Sequence, residues 1–304
     1  MKRIIHILIA ILFVTLAKAQ QLPQYTQYMF NDFAFNPAVA GKNEYADVRS
    51  NNRYQWVGIT DAPRTYVLTV HGPMKFKNMG LGMNLFTDIV GPTRRVGLNF
   101  SYAYHIKINE ETKVGLGLSA GILQWGIDGH KLQLHDVGDD NLLTQYQTVY
   151  VPDFGGGVLL HNKKYYLGIS VPQLYQSKIN LYPGVENKGK LVTHLNVNGA
   201  YTFDLDDEFQ IEPSFLLKYV SPAPMKLDVG VRGIYKEQVW LGLAYRHHDA
   251  VTALVGYMYK NYLMIGYSYD YSTTNIRKYS SGSHEVMLGL RFSRQQHQAW
   301  TGGK

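Results

Sequence analysis

Along most of the chain, apolar residues alternate with small or polar ones at a period of two. In YLMIGYSYDY, Leu263, Ile265, Tyr267, Tyr269 and Tyr271 share one face, and Met264, Gly266, Ser268 and Asp270 share the other. VTALVGYMY and VWLGLAYRH repeat the design, with Val251, Val255, Leu241 and Leu243 set against Thr252, Gly256, Gly242 and Ala244. LDVGVRGIY and EVMLGLRF do so again, with Val229, Val231, Leu288 and Leu290 against Asp228, Gly230, Met287 and Arg291. Working back toward the start, the pattern predicts strands near 208–219, 191–203, 163–171, 153–161, 112–124, 93–107, 78–88, 64–71 and 45–57. About fourteen strands result, most of about nine to thirteen residues, the length a tilted strand needs to cross hydrocarbon. Connections alternate between short turns and long loops, the longest at about 125–152 and 172–190. That is the pattern of a closed antiparallel transmembrane β-barrel whose short-turn rim faces the periplasm.

A soluble β-sandwich shares the periodicity, but its outer faces would not carry unbroken sets of Leu, Ile, Val and Tyr. Pro213, on the expected lipid face, removes a ladder hydrogen bond and predicts a bulged or shortened strand there.

Composition supports the lipid reading. The chain holds 24 tyrosines and 29 glycines, its mean hydropathy is −0.20, and after the first twenty residues no apolar run approaches about 18 residues. Tyrosines gather at both membrane interfaces in barrels, and lumen-facing residues keep the average hydropathy low. The start, MKRIIHILIAILFVTLAKAQ, has the charged, apolar and small-residue parts of a secretory signal peptide, and cleavage is expected after Ala19. Losing Lys2, Arg3 and Lys18 lowers the formal charge from +7 to about +4. The remaining basic residues are scattered, which argues against a nucleic-acid partner. With no cysteine, disulfides and thiolate chemistry are excluded.

After the leader comes YTQYMFNDFAFNPAVAG. Tyr25, Tyr28, Met29, Phe30, Phe33 and Phe35 would each forfeit about 1.5–3 kcal/mol if left in water. The segment must therefore pack, either inside the barrel as a plug or against a partner. Asn36 suits an N-cap, Pro37 the first helical position and Gly41 a left-handed stop, so NPAVAG predicts one short helical turn. The expected organisation is a signal peptide at 1–19, a plug or docking segment at 20–43, an outer-membrane barrel at 44–293 and a polar tail at 294–304.

QYTQYMFNDFAFNPAVAG, RYQWVG, YSYDYS and GSHEVMLGLRF together resemble the PorP/SprF family of type IX secretion outer-membrane proteins. The family motif maps onto Phe35, Asn36, Pro37, Ala38, Ala40 and Gly41, with Tyr25, Tyr28 and Phe30 upstream. The resemblance implies a barrel without catalysis or cofactor that helps export or retain large surface adhesins, including those of gliding motility. It implies as partners other type IX components, a periplasmic peptidoglycan-associated protein among them, and the exported adhesin. A porin or small-solute transporter is the alternative.

Other constellations are weaker. Ser119 in GLSAG fits G-x-S-x-G, but strand alternation continues on both sides where a nucleophile elbow needs a helix. Asp128, His130, His135, Asp136, Asp139 and Asp140 form a polar loop with no calcium or zinc spacing, so no metal is expected. His247 and His248 are expected to cap a hairpin. On the lumen side the pattern places Arg49, Arg53, Arg232, Arg246, Arg291 and Lys218 opposite Glu212, Asp228 and Asp270. Charges of both signs predict mutual neutralisation in a filled lumen, with a charge-lined pore as the other possibility.

Overall fold

The computed structural model describes residues 22–75, 78–132, 146–181 and 189–293. The expected signal peptide and polar tail lie outside them.

The strands are β1 (Tyr45–Tyr54), β2 (Arg64–Pro73), β3 (Met79–Val90), β4 (Thr93–Lys107), β5 (Lys113–Asp128), β6 (Tyr146–His161), β7 (Tyr165–Val171), β8 (Leu195–Tyr201), β9 (Phe203–Asp204), β10 (Phe209–Tyr219), β11 (Lys226–Tyr235), β12 (Val239–Arg246), β13 (Ala250–Tyr259), β14 (Leu263–Ser272) and β15 (Ser283–Ser293). Each pairs antiparallel with its neighbours, and β1 pairs with β15 from Tyr45↔Ser293 to Tyr54↔His284, so the sheet closes. β9 is a two-residue continuation of β8, which leaves a fourteen-stranded barrel.

Alternation decides which side chain meets which medium. Outward-facing Leu118 is 69 % exposed and Leu241 67 %, in an apolar band that includes Leu98, Phe100, Leu243, Val255 and Leu288. Water would not tolerate such a continuous surface, whereas lipid matches it. Exposed aromatic residues flank the band. Tyr201, Phe203, Phe209, Tyr235 and Tyr259 lie toward one rim, and Tyr54, Tyr219, Tyr245 and Tyr271 toward the other. The first rim carries the short turns. Two of them, at Lys236–Glu237 and Lys260–Asn261, have positive φ at both central residues, the twist-matched two-residue hairpin turn.

Three strand readings need correction. β5 and β6 reach Asp128 and start at Tyr146, so the connection expected at about 125–152 is only 129–145. β10 is neither bulged nor shortened at Pro213, since its ladder with β11 is unbroken. The missing proline N–H acts on the other side. There, pairing lapses between Ile211↔Phe203 and Ser214↔Ala200 and resumes in the same register. Thr202, at the lapse, is held instead by its N–H on the Lys164 carbonyl and its hydroxyl on the Glu212 carboxylate.

Candidate functional site

The lumen is occupied by the chain's own leading segment. Tyr25, Tyr28, Met29, Phe30, Phe33, Phe35, Asn36, Ala38, Val39 and Ala40 are all buried, and Pro37 and Gly41 are half-buried. The segment runs the height of the barrel. Thr26 meets Arg246, next to the long-loop rim, and Ala40 meets His105, near the short-turn rim where β1 begins.

Its lower half is the NPAVAG turn. Pro37–Val39 form one 3₁₀ turn, capped by Asn36 Oδ1 accepting from Ala38 N at 2.9 Å. Asn36 Nδ2 donates to the Val158 carbonyl at 3.1 Å, tying the same side chain to the wall. The wall is stripped of side chains where the turn seats. A Cβ at Gly117 would lie 2.2 Å from Ala38 N, and one at Gly80 2.1 Å from the Ala40 carbonyl oxygen. Gly41 has φ +73 and its Cα packs on Gly80, so its missing side chain serves both conformation and approach. The Ala40 carbonyl also contacts His105 Nε2 at 2.8 Å, and His105 Nδ1 lies 3.1 Å from His161 Nε2.

The upper half is held by charge. Glu285 accepts from Thr26 N at 2.6 Å, Gln27 N at 3.2 Å and Asn51 Nδ2 at 2.9 Å. Arg53 bridges Asp270 at 2.7 Å and Glu285 at 3.5 Å, and Arg246 bridges Asp228 at 3.2 Å and Asp270 at 3.0 Å. The Thr26 hydroxyl sits among them, 2.5 Å from Arg53 and 3.0 Å from Asp270. Midway, Arg49 pairs with Asp47 and donates to the Phe30 carbonyl. Arg232 pairs with Glu212 at 2.7 Å while its guanidinium stacks 4.2 Å from the Phe30 ring, which also packs on Trp240. Arg291 lies over the Tyr45 ring at 4.8 Å. Buried ions left alone would cost several kcal/mol each, and this pairing offsets that cost.

Among the described residues, the other sequence candidates do not assemble into a catalytic group. Ser119 continues β5 with no helix after it. Asp128 caps the short turn at Gly129–Lys131, and His130 Nδ1 stands 3.3 Å from its carboxylate. His135, Asp136, Asp139 and Asp140 lie outside the described residues. His247 and His248 meet edge to face in the β12–β13 turn, with ring centroids 3.9 Å apart. Sequence reasoning missed Glu285, although Val286 and Leu288 facing outward already fixed it on the lumen side. Asp88 and Arg95, which pair, were missed too, as was the buried His105–His161 contact.

Described residues of the β7–β8 connection turn inward as well. Ile179 and Leu191 join the buried cluster around Tyr25 and Phe35, and Ser177 Oγ donates to the Pro152 carbonyl at 2.5 Å.

A family model described as "Type IX secretion system membrane protein PorP/SprF" matches residues 17–290. No curated protein matches the chain. Among solved structures, the CymD monoaromatic hydrocarbon channel is similar with a TM-score of 0.52 at 11 % identity, covering 91 % of this chain and 94 % of that one. A Pseudomonas aeruginosa FadL homologue is similar at 0.49 and 11 % identity, over 86 % and 93 %. The Acinetobacter baumannii outer membrane protein Omp33 gives 0.47 and 9 %, over 83 % and 99 %. At 11 % identity the likeness to CymD speaks to the barrel fold alone.

Proposed function

Because this chain belongs to the PorP/SprF family of type IX secretion system membrane proteins, we propose that it is a non-enzymatic, plugged scaffold in the outer membrane. In this reading it supports secretion and surface retention of large adhesins of the gliding-motility kind.

The observation that carries the reading is the occupied lumen. A segment whose aromatic side chains are buried and whose upper end is latched by Glu285 leaves little room for solute traffic. The same burial argues against Tyr25–Phe35 acting as an exposed docking handle. Periplasmic partners, a peptidoglycan-associated protein among them, are then met by the short-turn rim, where Asp206, Asp207 and Glu208 stand exposed near Lys163 and Lys164. The exported adhesin meets the opposite rim, through the connections at 129–145 and 172–194.

The test joins two measurements on the full chain. A tagged copy drawn from outer membranes should bring down type IX components and an adhesin, and the purified barrel should be nearly silent in a planar bilayer. Steady conductance with no such companions would overturn the scaffold in favour of a small-solute channel.

A further inference from the structure

Within the barrel, Asp32, Asp47, Asp88, Glu212, Asp228, Asp270 and Glu285 each pair with a lysine or arginine. Among the described residues one buried carboxylate has no such partner. Asp153, on the lumen face of β6, is 7 % exposed. Its Oδ2 accepts from Asn99 Nδ2 at 3.1 Å, and its Oδ1 has no hydrogen-bond partner.

Two further buried oxygens nearby are also unsatisfied, Asn99 Oδ1 and Asn84 Oδ1. Asn84, Asn99 and Asp153 line one cavity of about 60 Å³, together with Ser101 and Ser119. Phe33–Pro37 of the plug line another side of it. That volume is about twice one water's share of liquid, enough for an ion with a water or two. Water could satisfy the amide oxygens, but it would not neutralise a carboxylate removed from solvent.

We propose that this cavity binds a hard cation, with the Asp153 carboxylate as its charged ligand and Asn84, Asn99, Ser101 and Ser119 as neutral oxygen ligands. The donor set is all oxygen, which selects the Na⁺, Mg²⁺ and Ca²⁺ class over zinc or copper. No cluster of three His, Cys, Asp or Glu exists among the described residues, so a transition-metal site has no counterpart here. With one charged ligand the affinity belongs to the weak end of oxygen sites, about 10⁻⁴–10⁻³ M for Ca²⁺. The bound ion would tie strands β3–β6 to one another where they face the plug just before its NPAVAG turn.

The experiment uses the full chain, purified in detergent, stripped with a chelator and held in an N-methylglucamine buffer. Its thermal midpoint is followed as CaCl₂, MgCl₂ or NaCl is added at constant ionic strength. One cation should raise the midpoint saturably, and Asp153→Asn should remove the shift while the exposed control Asp207→Asn keeps it. A midpoint indifferent to all three cations, or a shift that persists in Asp153→Asn, overturns the site and leaves a protonated carboxyl in its place. Asn84→Ala keeps the charge and loses a ligand, so it should lower the apparent affinity severalfold if Asp153→Asn does not insert. An unchanged half-saturation in that variant also overturns the site.

Discussion

Replacing Glu285 by Gln tests whether one carboxylate latches the top of the plug. Its two oxygens serve three donors, Thr26 N, Gln27 N and Asn51 Nδ2, and face Arg53. Glutamine keeps the shape but turns one oxygen into an NH₂ group, so at least one of those donors confronts another donor. Hydrogen bonds to a charged group contribute about 1.5–3 kcal/mol each, and breaking a buried pair costs about 3–5 kcal/mol. A loss of about 3 kcal/mol in the local opening free energy corresponds to about two decades in rate. Native-state hydrogen exchange of the inserted barrel should therefore show the Thr26 and Gln27 amides exchanging about 100-fold faster. The Val39 and Ala40 amides, bonded at the other end of the segment to the Asn36 and Pro37 carbonyls, should keep their protection. If Thr26 and Gln27 exchange at the parental rate in a folded Glu285→Gln barrel, the latch argument fails.

Two further substitutions probe the seat of the plug and the outer wall. Gly80→Ala places a Cβ 2.1 Å from the Ala40 carbonyl, so exchange protection at Val39 and Ala40 should drop, whereas Gly233→Ala, with its nearest atom at 3.9 Å, should leave it intact; equal protection in both would refute the close-approach reading. Leu243→Arg puts a charge on the lipid face at a side chain now 61 % exposed. It should cost about 2–4 kcal/mol near the bilayer midplane, and denaturant titration of the barrel folded into vesicles should show that loss, with an unaltered midpoint contradicting the orientation assigned to β12.

The wall was legible in the sequence because its two faces meet different media, and period-two alternation records that difference residue by residue. Where the media change, the record inverts. At the top of β5 and β6 the apolar residues Leu123, Trp125, Val149 and Val151 point inward to the buried cluster, while Gln124 and Tyr150 bond to each other outside at 3.0 Å. A reading tuned to a greasy exterior therefore cuts both strands short at that rim. Pro213 misled for a related reason: a proline's missing donor concerns only one of two neighbouring strands, and sequence does not say which. The leading segment's need to pack was plain from Tyr25 to Phe35, and the NPAVAG turn from its cap and glycine. Its path was not, because the glycines that receive it, Gly80, Gly117 and Gly157, come from three separate strands. No local pattern joins them. Asp153 escaped notice for the same reason, since a lone carboxylate in a strand gains meaning only beside Asn84 and Asn99.

Arg246 apart, the groups around the segment's first residues come from the two ends of the polypeptide. Asn51 and Arg53 belong to β1, Glu285 to β15 and Asp270 to β14. Those strands flank the seam where the first and last staves zip together. The earliest-made stretch of the barrel thus waits for the latest-made one, and both fasten onto Thr26, Arg53 at its hydroxyl and Glu285 at its amide. Sealing the cylinder and lodging its contents become one cooperative event, so damage at the seam and damage to the insert should share a phenotype.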